Sequence, residues 1–269
     1  MKDLLKKVLT KETRLSLRRL YYAGFQYRCP LCNSHLRTMF DSGLPFAILR
    51  DADVVGGEQI PRDVCPVCFS HSRMRLLFEY LRREVRLKER ATKPRVFHVA
   101  PEYALMAYLS RVSAYVGVDI DPPKPYENDA AIEYCDITDI GYPDDSFDLI
   151  VCSHVLEHIP RDDVAIKELH RVLNPSGVAI LQVPIGFALK YTIEEPLVSD
   201  PCERERLFGQ RDHVRIYGPD YAQRLSDGGF VVETFDPLAR WGEDVMAAMR
   251  LNRRERLFLG RKGGNRAAV

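Results

Sequence analysis

A strand–helix–strand segment at 147–183 limits the folds open to this chain more than any other feature. The short apolar run FDLIVC at 147–152 follows polar residues, which is typical of a buried strand. A helix with apolar residues at helical spacing begins at Asp162 and ends before NPSG, and a second apolar run follows at 178–183. Such a unit joins two parallel strands, so the sequence predicts a doubly wound α/β sheet.

Polar side chains follow the first of these strands at Ser153, His154, Glu157 and His158. Sheets of this class bind ligands beyond the carboxyl ends of their strands, so we expect these residues at the ligand site. His158 is the candidate general base, because an imidazole can accept a proton from a hydroxyl near neutral pH. A histidine that caps a turn or packs under the site is the alternative interpretation.

Two Cys-x-x-Cys pairs, CPLC at 29–32 and CPVC at 65–68, predict a structural zinc site. Each pair brings two thiolates from one turn to the same ion, and two pairs complete a four-sulfur shell that has no open position. The predicted ligands are Cys29, Cys32, Cys65 and Cys68. His35 and His71 lie near enough in the sequence to be alternative ligands.

The composition favours a cytoplasmic protein. The chain has seven cysteines, an odd number, and in a reducing compartment paired cysteines bind metal more often than they form disulfides. No run reaches the roughly 20 apolar residues of a membrane span, and the start lacks the apolar run of a secretory signal. The net charge of +1 gives no general attraction to nucleic acid or acidic membranes.

The charge is nevertheless uneven, because residues 1–28 hold eight Lys and Arg against two acidic residues. This segment predicts a basic amphipathic helix that packs its apolar face on the protein, with membrane-surface or RNA contact as the alternative. The predicted organisation is this helix (1–28), a zinc ribbon (29–71), a connector helix (72–91) and the main domain (92–269). The 32 residues between the Cys pairs exceed the usual spacing of about 15–20, so a hairpin is expected there.

The segment FDLIVCSHVLEHI, followed by ELHRVLNPSGVAILQVP, resembles the central part of class I methyltransferases that use S-adenosylmethionine, specifically the type 11-like group. CPVCFSHSRMRLLFEYL resembles the second half of a zinc ribbon that precedes this fold in a group of bacterial proteins. The resemblance implies a seven-stranded Rossmann-like sheet whose last strand is antiparallel, a small N-terminal zinc ribbon, S-adenosylmethionine as cofactor and structural zinc.

The first strand of the main domain departs from the family pattern. RVFHVAPEYAL places His98 at the usual acidic position, and Ala100 and Glu102 lie where the family has a glycine-rich turn. Glycines let the backbone approach the cofactor there, so a different turn or weaker binding must follow. The related zinc-ribbon proteins have an HVAPE-like turn, which favours a variant site. Glu102 is expected to face the ammonium or sulfonium of the cofactor.

Asp119 ends the second predicted strand 19 residues after Ala100, which is the spacing of the ribose-binding carboxylate. Asp121 is the less favoured neighbour. The resemblance implies that Asp136 and Ile137 adjoin the adenine. The expected cofactor contacts are His98, Ala100, Glu102, Asp119, Ile120, Asp136, Ile137 and Ser153.

The segment from Ile185 to Gly218 is expected to be a long irregular lid that closes with DHVRIY at 212–217. A similar stretch in the zinc-ribbon methyltransferases implies substrate contact. The expected substrate contacts are His154, Arg215 and Tyr217, and the expected catalytic residues are His158 and His213. The alternative is an anchored loop in which Arg215 pairs with an acidic residue.

These features predict methyl transfer to a small-molecule acceptor, such as a hydroxyl of a sugar or a related metabolite. The strand end SHVLEH is not the Asn/Asp-Pro-Pro-aromatic motif used on exocyclic base amines, which argues against DNA adenine. The first alternative is an RNA methyltransferase that docks nucleic acid through the ribbon and the basic helix. The second is a non-enzymatic scaffold, because the cofactor turn lacks glycine.

Overall fold

The computed structural model describes residues 10–122 and 132–263. Residues 1–9 of the predicted helix (1–28), Ala131 of the predicted third strand and the tail from 264 lie outside the described residues. The described part of that helix is shorter than predicted, because it ends at Tyr21 and a strand begins at Ala23. The N-terminal part contains α1 (Lys11–Tyr21), β1 (Ala23–Cys29), β2 (Ser34–Leu36), β3 (Phe40–Ser42), α2 (Ala47–Asp51), β4 (Val54–Val55), β5 (Ile60–Val64) and α3 (Ser72–Arg83). Within the described ranges, no helix has the length and apolar character needed to cross a membrane.

The main part of the chain alternates strands and helices. In chain order it contains β6 (Arg95–Val99), α4 (Tyr103–Val112), β7 (Ala114–Asp119), β8 (Ile132–Tyr134), β9 (Phe147–Ser153), α5 (Asp162–Val172), β10 (Leu173–Gln182), β11 (Ile185–Gly186), β12 (Ile193–Glu194), α6 (Pro201–Phe208), β13 (Arg215–Ile216), α7 (Tyr221–Asp227), β14 (Phe230–Phe235), α8 (Pro237–Trp241), α9 (Glu243–Ala248) and β15 (Leu257–Lys262). Short 3-10 helices lie at Leu87–Glu89 and Leu156–His158.

Seven of these strands form one sheet in the order β8-β7-β6-β9-β10-β15-β14. The five strands from β8 to β10 pair in parallel, whereas β15 is antiparallel to both of its neighbours. This order, with the antiparallel strand inserted next to the edge, is that of the Rossmann-like methyltransferase fold. The predicted fold class is therefore confirmed.

The central strands are apolar on both faces because helices cover both sides of the sheet. Ile150 and Cys152 of β9 face a buried cluster that includes Leu169 of α5. Leu149 and Val151, which alternate with them along the strand, face a second cluster with the residues of α3 and α4. The uninterrupted apolar run in β9 thus serves two cores.

The segment between the two Cys pairs folds as a hairpin, as expected. Strand β3 pairs antiparallel with β5, and the connection between them contains α2 and β4. Strand β4 pairs with β11, which follows the central strand β10. We call residues 43–59 the ribbon insert. Its pairing with β11 places it against the carboxyl edge of the main sheet.

The segment expected as an irregular lid contains regular structure. Helix α6 lies within it, and its two short strands β12 and β13 pair with each other. A hydrogen bond also connects this segment to the ribbon insert, because the N–H of Phe187 donates to the carbonyl oxygen of Asp53. The segment therefore forms a packed wall of the structure in the described residues.

Arg75 of α3 connects the zinc ribbon to the main domain. Its side chain is fully buried and donates hydrogen bonds to the carbonyl oxygens of Ser70, Met249 and Arg250 at 2.7–2.9 Å. Its Nη2 also lies 3.7 Å from the buried carboxylate of Asp63. One guanidinium thus donates both to the ribbon, at Ser70, and to the segment before β15, at Met249 and Arg250.

Replacing this guanidinium should destabilise the whole protein. Arg75→Met leaves three carbonyl oxygens without their donor and removes the positive charge beside the buried Asp63 carboxylate, so we expect the free energy of unfolding to fall by about 3–5 kcal/mol. Arg50→Met, which removes an exposed pair with Asp51, should change it by less than about 1 kcal/mol. Urea unfolding of the zinc-loaded chain measures both. Equal losses for the two variants would contradict this role of Arg75.

Candidate functional site

The four paired cysteines form a cluster whose geometry fits zinc. The Sγ atoms of Cys29 and Cys68 are 3.6 Å apart, and those of Cys32 and Cys65 are 3.7 Å apart. A tetrahedral ion with Zn–S bonds of about 2.3 Å needs sulfurs about 3.8 Å apart, whereas a disulfide needs about 2.05 Å. The cluster therefore suits a closed structural zinc site.

The two histidines weighed as alternative ligands lie outside this cluster. His71 Nδ1 is 2.9 Å from the Asp63 carboxylate, which also accepts the backbone N–H of Ser72 at the start of α3. His35 is exposed on β2. The four sulfurs are thus the ligand set that the geometry supports.

The turn after β6 has a backbone conformation typical of glycine, although it contains no glycine. Ala100 has a φ of 46°, in the left-handed region, and its N–H donates to the carbonyl oxygen of Val118 at 2.8 Å. A residue with a Cβ occupies this region at a cost of roughly 1–2 kcal/mol. The strained backbone fixes the end of β6 directly beside the end of β7.

The side chains next to this turn form a charged group. His98 is fully buried, with Nδ1 3.1 Å from the hydroxyl of Tyr115 and Nε2 3.6 Å from Glu102 Oε2. Arg73 Nε lies 3.9 Å from the other oxygen of Glu102. Burial raises the pKa of Glu102, but its contacts with His98 and Arg73 lower the pKa by more. Glu102 is therefore an ionised carboxylate at the turn.

The next two strand ends carry Asp119 and Asp136. Asp119 Oδ1 accepts a hydrogen bond from the backbone N–H of Asp121. The backbone carbonyl oxygen of Asp119 accepts one from the N–H of Cys135, the residue before Asp136. Asp136 Oδ1 accepts hydrogen bonds from the backbone N–H and the hydroxyl of Thr138. Ile120 is 57% exposed, whereas Ile137 is 3% exposed and belongs to the core. Ile120 is thus the apolar side chain that a ligand can reach.

A buried series of side-chain hydrogen bonds, which the sequence did not reveal, begins at the end of β9. The Ser153 hydroxyl donates to Gln182 Oε1 at 3.4 Å, and Gln182 Nε2 donates to Glu255 Oε1 at 2.6 Å. Burial raises the pKa of Glu255 to about 7. Since Gln182 and Glu255 lie 73 positions apart in the chain, no local spacing could have connected them.

Beyond Ser153, the structure brings together the two histidines predicted as catalytic. The rings of His158 and His213 are perpendicular, with centroids 4.6 Å apart. Potential ligand atoms of Glu157, His158 and His213 lie within 4.8 Å of one another. His154, which has a φ of 56°, places Nδ1 3.5 Å from Glu157 Oε1. We call these four residues the His/Glu cluster.

Burial controls the charge of this cluster. Glu157 is 1% exposed, and neither of its carboxylate oxygens has a hydrogen-bond partner among the residues that the structure describes. Burial therefore raises the pKa of Glu157 and lowers the pKa of His154. It also lowers the pKa of His213 to about 3, so this imidazole is neutral at pH 7.

Arg215 and Tyr217 are fully buried and hold this cluster in place. Arg215 donates to carbonyl oxygens in 156–160 at 2.6–3.1 Å and to Glu194 at 2.9 Å. The Tyr217 hydroxyl donates to Asp162 at 2.6 Å. These contacts correspond to the anchored-loop alternative, in which Arg215 pairs with an acidic residue. Both side chains position the turn that carries Glu157 and His158.

The ribbon insert covers the same edge of the sheet. Gly56 has a φ of 97°, and a Cβ built on it would lie 3.2 Å from Cε1 of His154. Beside it lies a cavity of about 280 Å³ whose lining includes Glu58, Arg73 and Glu255. The sequence indicated only a turn in this insert, because its approach to His154 depends on the pairing of β4 with β11.

Comparison with known proteins agrees with this geometry. Residues 101–181 match the family model of a methyltransferase domain. The probable methyltransferase ltbC of Aspergillus luteorubrus is 32% identical over 91 residues, which cover 32% of this chain and 29% of ltbC. The chain thus matches less than a third of that relative's length. The family match and the sheet topology agree on the methyltransferase fold.

Solved methyltransferases resemble the chain over most of its length at low identity. One from Archaeoglobus fulgidus that depends on S-adenosylmethionine is 16% identical, with a TM-score of 0.45, and covers 70% of this chain and 94% of its own. The Burkholderia thailandensis 1,6-didemethyltoxoflavin-N1-methyltransferase is 15% identical, with a TM-score of 0.44. The match covers 71% of this chain and 78% of that enzyme.

The buried carboxyl of Glu255 should leave a signature in the pH dependence of stability. Its pKa is about 7 in the folded protein and 4.5 in the reference state, so the folded protein binds more protons between these values. The free energy of unfolding therefore falls as the pH rises from 4.5 to 7. Glu255→Gln removes this loss, and from pH 4.5 to 8 its stability relative to wild type should rise by about 3 kcal/mol.

Urea unfolding at a series of pH values measures this difference. Glu243→Gln, at an exposed position of α9, should run parallel to wild type. If Glu255→Gln also ran parallel to wild type, the raised pKa of Glu255 would be refuted.

Proposed function

We propose that the protein transfers the methyl group of S-adenosylmethionine to a hydroxyl of a small acceptor, such as a sugar or a related metabolite. The observation that carries this proposal is the convergence of two carboxylates for a nucleoside and two histidines for an acceptor at one sheet edge. Asp119 and Asp136 follow β7 and β8, and His158 and His213 lie beyond β9. Ligands of doubly wound sheets bind at this edge.

The residues at this edge fit the parts of the cofactor, whose sulfonium supplies an electrophilic methyl group when bound. A carboxylate accepts hydrogen bonds from both ribose hydroxyls, and Asp119 has its second oxygen free of partners in the described residues. The exposed side chain of Ile120 offers an apolar surface to the adenine, with Asp136 beside it to accept from the amine. Glu102 provides negative charge at the turn, where the cofactor carries positive charge.

The acceptor belongs on the side of the histidines. In the transfer, the acceptor oxygen would attack the methyl carbon and form a C–O bond as the C–S bond breaks with its electron pair left on sulfur. The proton of the acceptor oxygen would leave to solvent. His158 has a 30% exposed side chain and lies beside the buried His213, so this pair acts on the acceptor oxygen. The neighbouring 280 Å³ cavity matches the lower end of small-molecule pockets, and its charged lining suits a polyhydroxyl compound.

We further propose that the chain divides into the basic N-terminal segment 1–28, the ribbon 29–71, the connector 72–91 and the catalytic domain 92–269. In this division the ribbon has a second role besides folding. Its insert lies on the acceptor side, where Gly56 faces His154. The ribbon thereby contributes to the choice of acceptor and to the exclusion of water.

Transfer of a labelled methyl group from S-adenosylmethionine tests this function. We expect the label in small polyhydroxyl acceptors and none in RNA. His158→Ala should lower kcat by about 10²–10⁴-fold and leave cofactor affinity unchanged, because it removes a group that acts on the acceptor alone. His170→Ala, on helix α5 and outside the cluster, should retain wild-type rates. Label in RNA alone, or an equal loss of kcat and cofactor affinity in His158→Ala, would contradict the proposal.

A further inference from the structure

The His/Glu cluster contains a buried carboxylate without a counter-charge. Glu157 is fully buried, yet no donor reaches either of its oxygens within the described part of the chain. Leaving a carboxylate in this condition costs several kcal/mol, and native structures normally pair such a group or use it to bind a cation. Nε2 of His154, beside it, is also buried and has no partner in the described residues.

We propose that Glu157, His158 and His213 bind a divalent transition-metal ion of the zinc type, at a second metal site separate from the four cysteines. Two imidazoles and one carboxylate are a known ligand set for catalytic zinc. Their potential ligand atoms lie within 4.8 Å of one another, against the roughly 3–3.5 Å between ligands of a bound ion. Small side-chain rotations close this difference.

The surroundings of the three ligands are built to hold them. His154 lies beside the carboxylate, with Nδ1 3.5 Å from Glu157 Oε1, where outer partners of metal ligands are found. Asp212 does the same for His158, with its carboxylate 3.3 Å from Nδ1. The backbone N–H of Val214 donates to the carbonyl oxygen of Glu157, which fixes the segment of His213 against the turn of Glu157.

This site differs from the cysteine cluster in one respect that matters for function. Four thiolates close the coordination of a structural zinc ion, whereas three protein ligands leave a position open for water or substrate. Resting on the proposed function, we assign His158 and His213 the role of ligands to an ion that would bind the acceptor oxygen and lower its pKa, so that its proton leaves to solvent.

The number of zinc ions bound by the full chain tests the proposal. After dialysis against excess Zn²⁺ at neutral pH, elemental analysis should find two ions per chain in wild type and in His170→Gln. Glu157→Gln and His213→Gln should each retain one, at the cysteines. One ion in wild type, or two in Glu157→Gln, would overturn the proposal.

We expect Glu157→Gln to fold as wild type does, because the replaced carboxylate makes no side-chain hydrogen bond in the described structure. Added Zn²⁺ should raise the melting temperature of the wild-type chain, with its cysteine site already filled, and should not raise that of Glu157→Gln. His158→Gln, at a partly exposed position, replaces His213→Gln if the latter does not fold.

Cofactor binding by the same samples separates this proposal from the proposed function. If wild type binds S-adenosylmethionine but only one zinc ion, the metal site is refuted and the methyl-transfer proposal stands. If it binds two zinc ions but no S-adenosylmethionine, the metal site stands and the methyl-transfer proposal fails.

Discussion

The parallel pairing of β6, β7, β8 and β9 is the constraint on which the candidate site depends. Parallel strands end at the same edge of a sheet, so residues that are far apart in the sequence meet there. The hydrogen bond from the Ala100 N–H to Val118 locks two of these ends together, and the bond from Cys135 to Asp119 locks the next. Four strand ends thereby supply the turn, the two carboxylates and three residues of the His/Glu cluster, and His213 completes the cluster from the segment before β13.

The other side of the site comes from the zinc ribbon. A zinc ion at the four cysteines would supply stability that the small ribbon core cannot provide, on the order of 10 kcal/mol in peptide fingers. Arg75 and Asp63 then fix the ribbon to helix α3 and to the segment before β15. Because the ribbon insert pairs with β11, this docking sets the distance between Gly56 and His154. The contacts that stabilise the ribbon therefore also fix its insert against His154.

Much of the fold could be predicted from local pattern. The run FDLIVC, the helix that begins at Asp162 and the Cys-x-x-Cys pairs each carry their signal within a few residues, and the structure has strands, a helix and a cysteine cluster at these positions. The strained turn at Ala100 was harder to predict from the sequence, because an alanine gives no sign of a left-handed φ. Only the departure from the family's glycine-rich turn pointed to an unusual backbone there.

The rest of the site depends on long-range packing. Arg215 was placed in a functional motif, but its buried bonds to 156–160 and Glu194 follow from tertiary structure. The pairing of Gln182 with Glu255 and the contact of Gly56 with His154 each join segments more than 70 residues apart. The structure brings the two predicted histidines together and leaves one carboxylate oxygen of Asp119 available.

Calorimetric titration of the zinc-loaded full chain with S-adenosylmethionine tests the central claim most directly. We predict one cofactor bound per chain, and a loss of about 10–100-fold in affinity for Asp119→Ala, because a carboxylate that accepts two ribose hydroxyls contributes roughly 1.5–3 kcal/mol. Asp121→Ala, two positions along the same strand end, should bind as wild type does. The absence of binding at millimolar cofactor, or equal affinity for wild type and Asp119→Ala, would contradict the account.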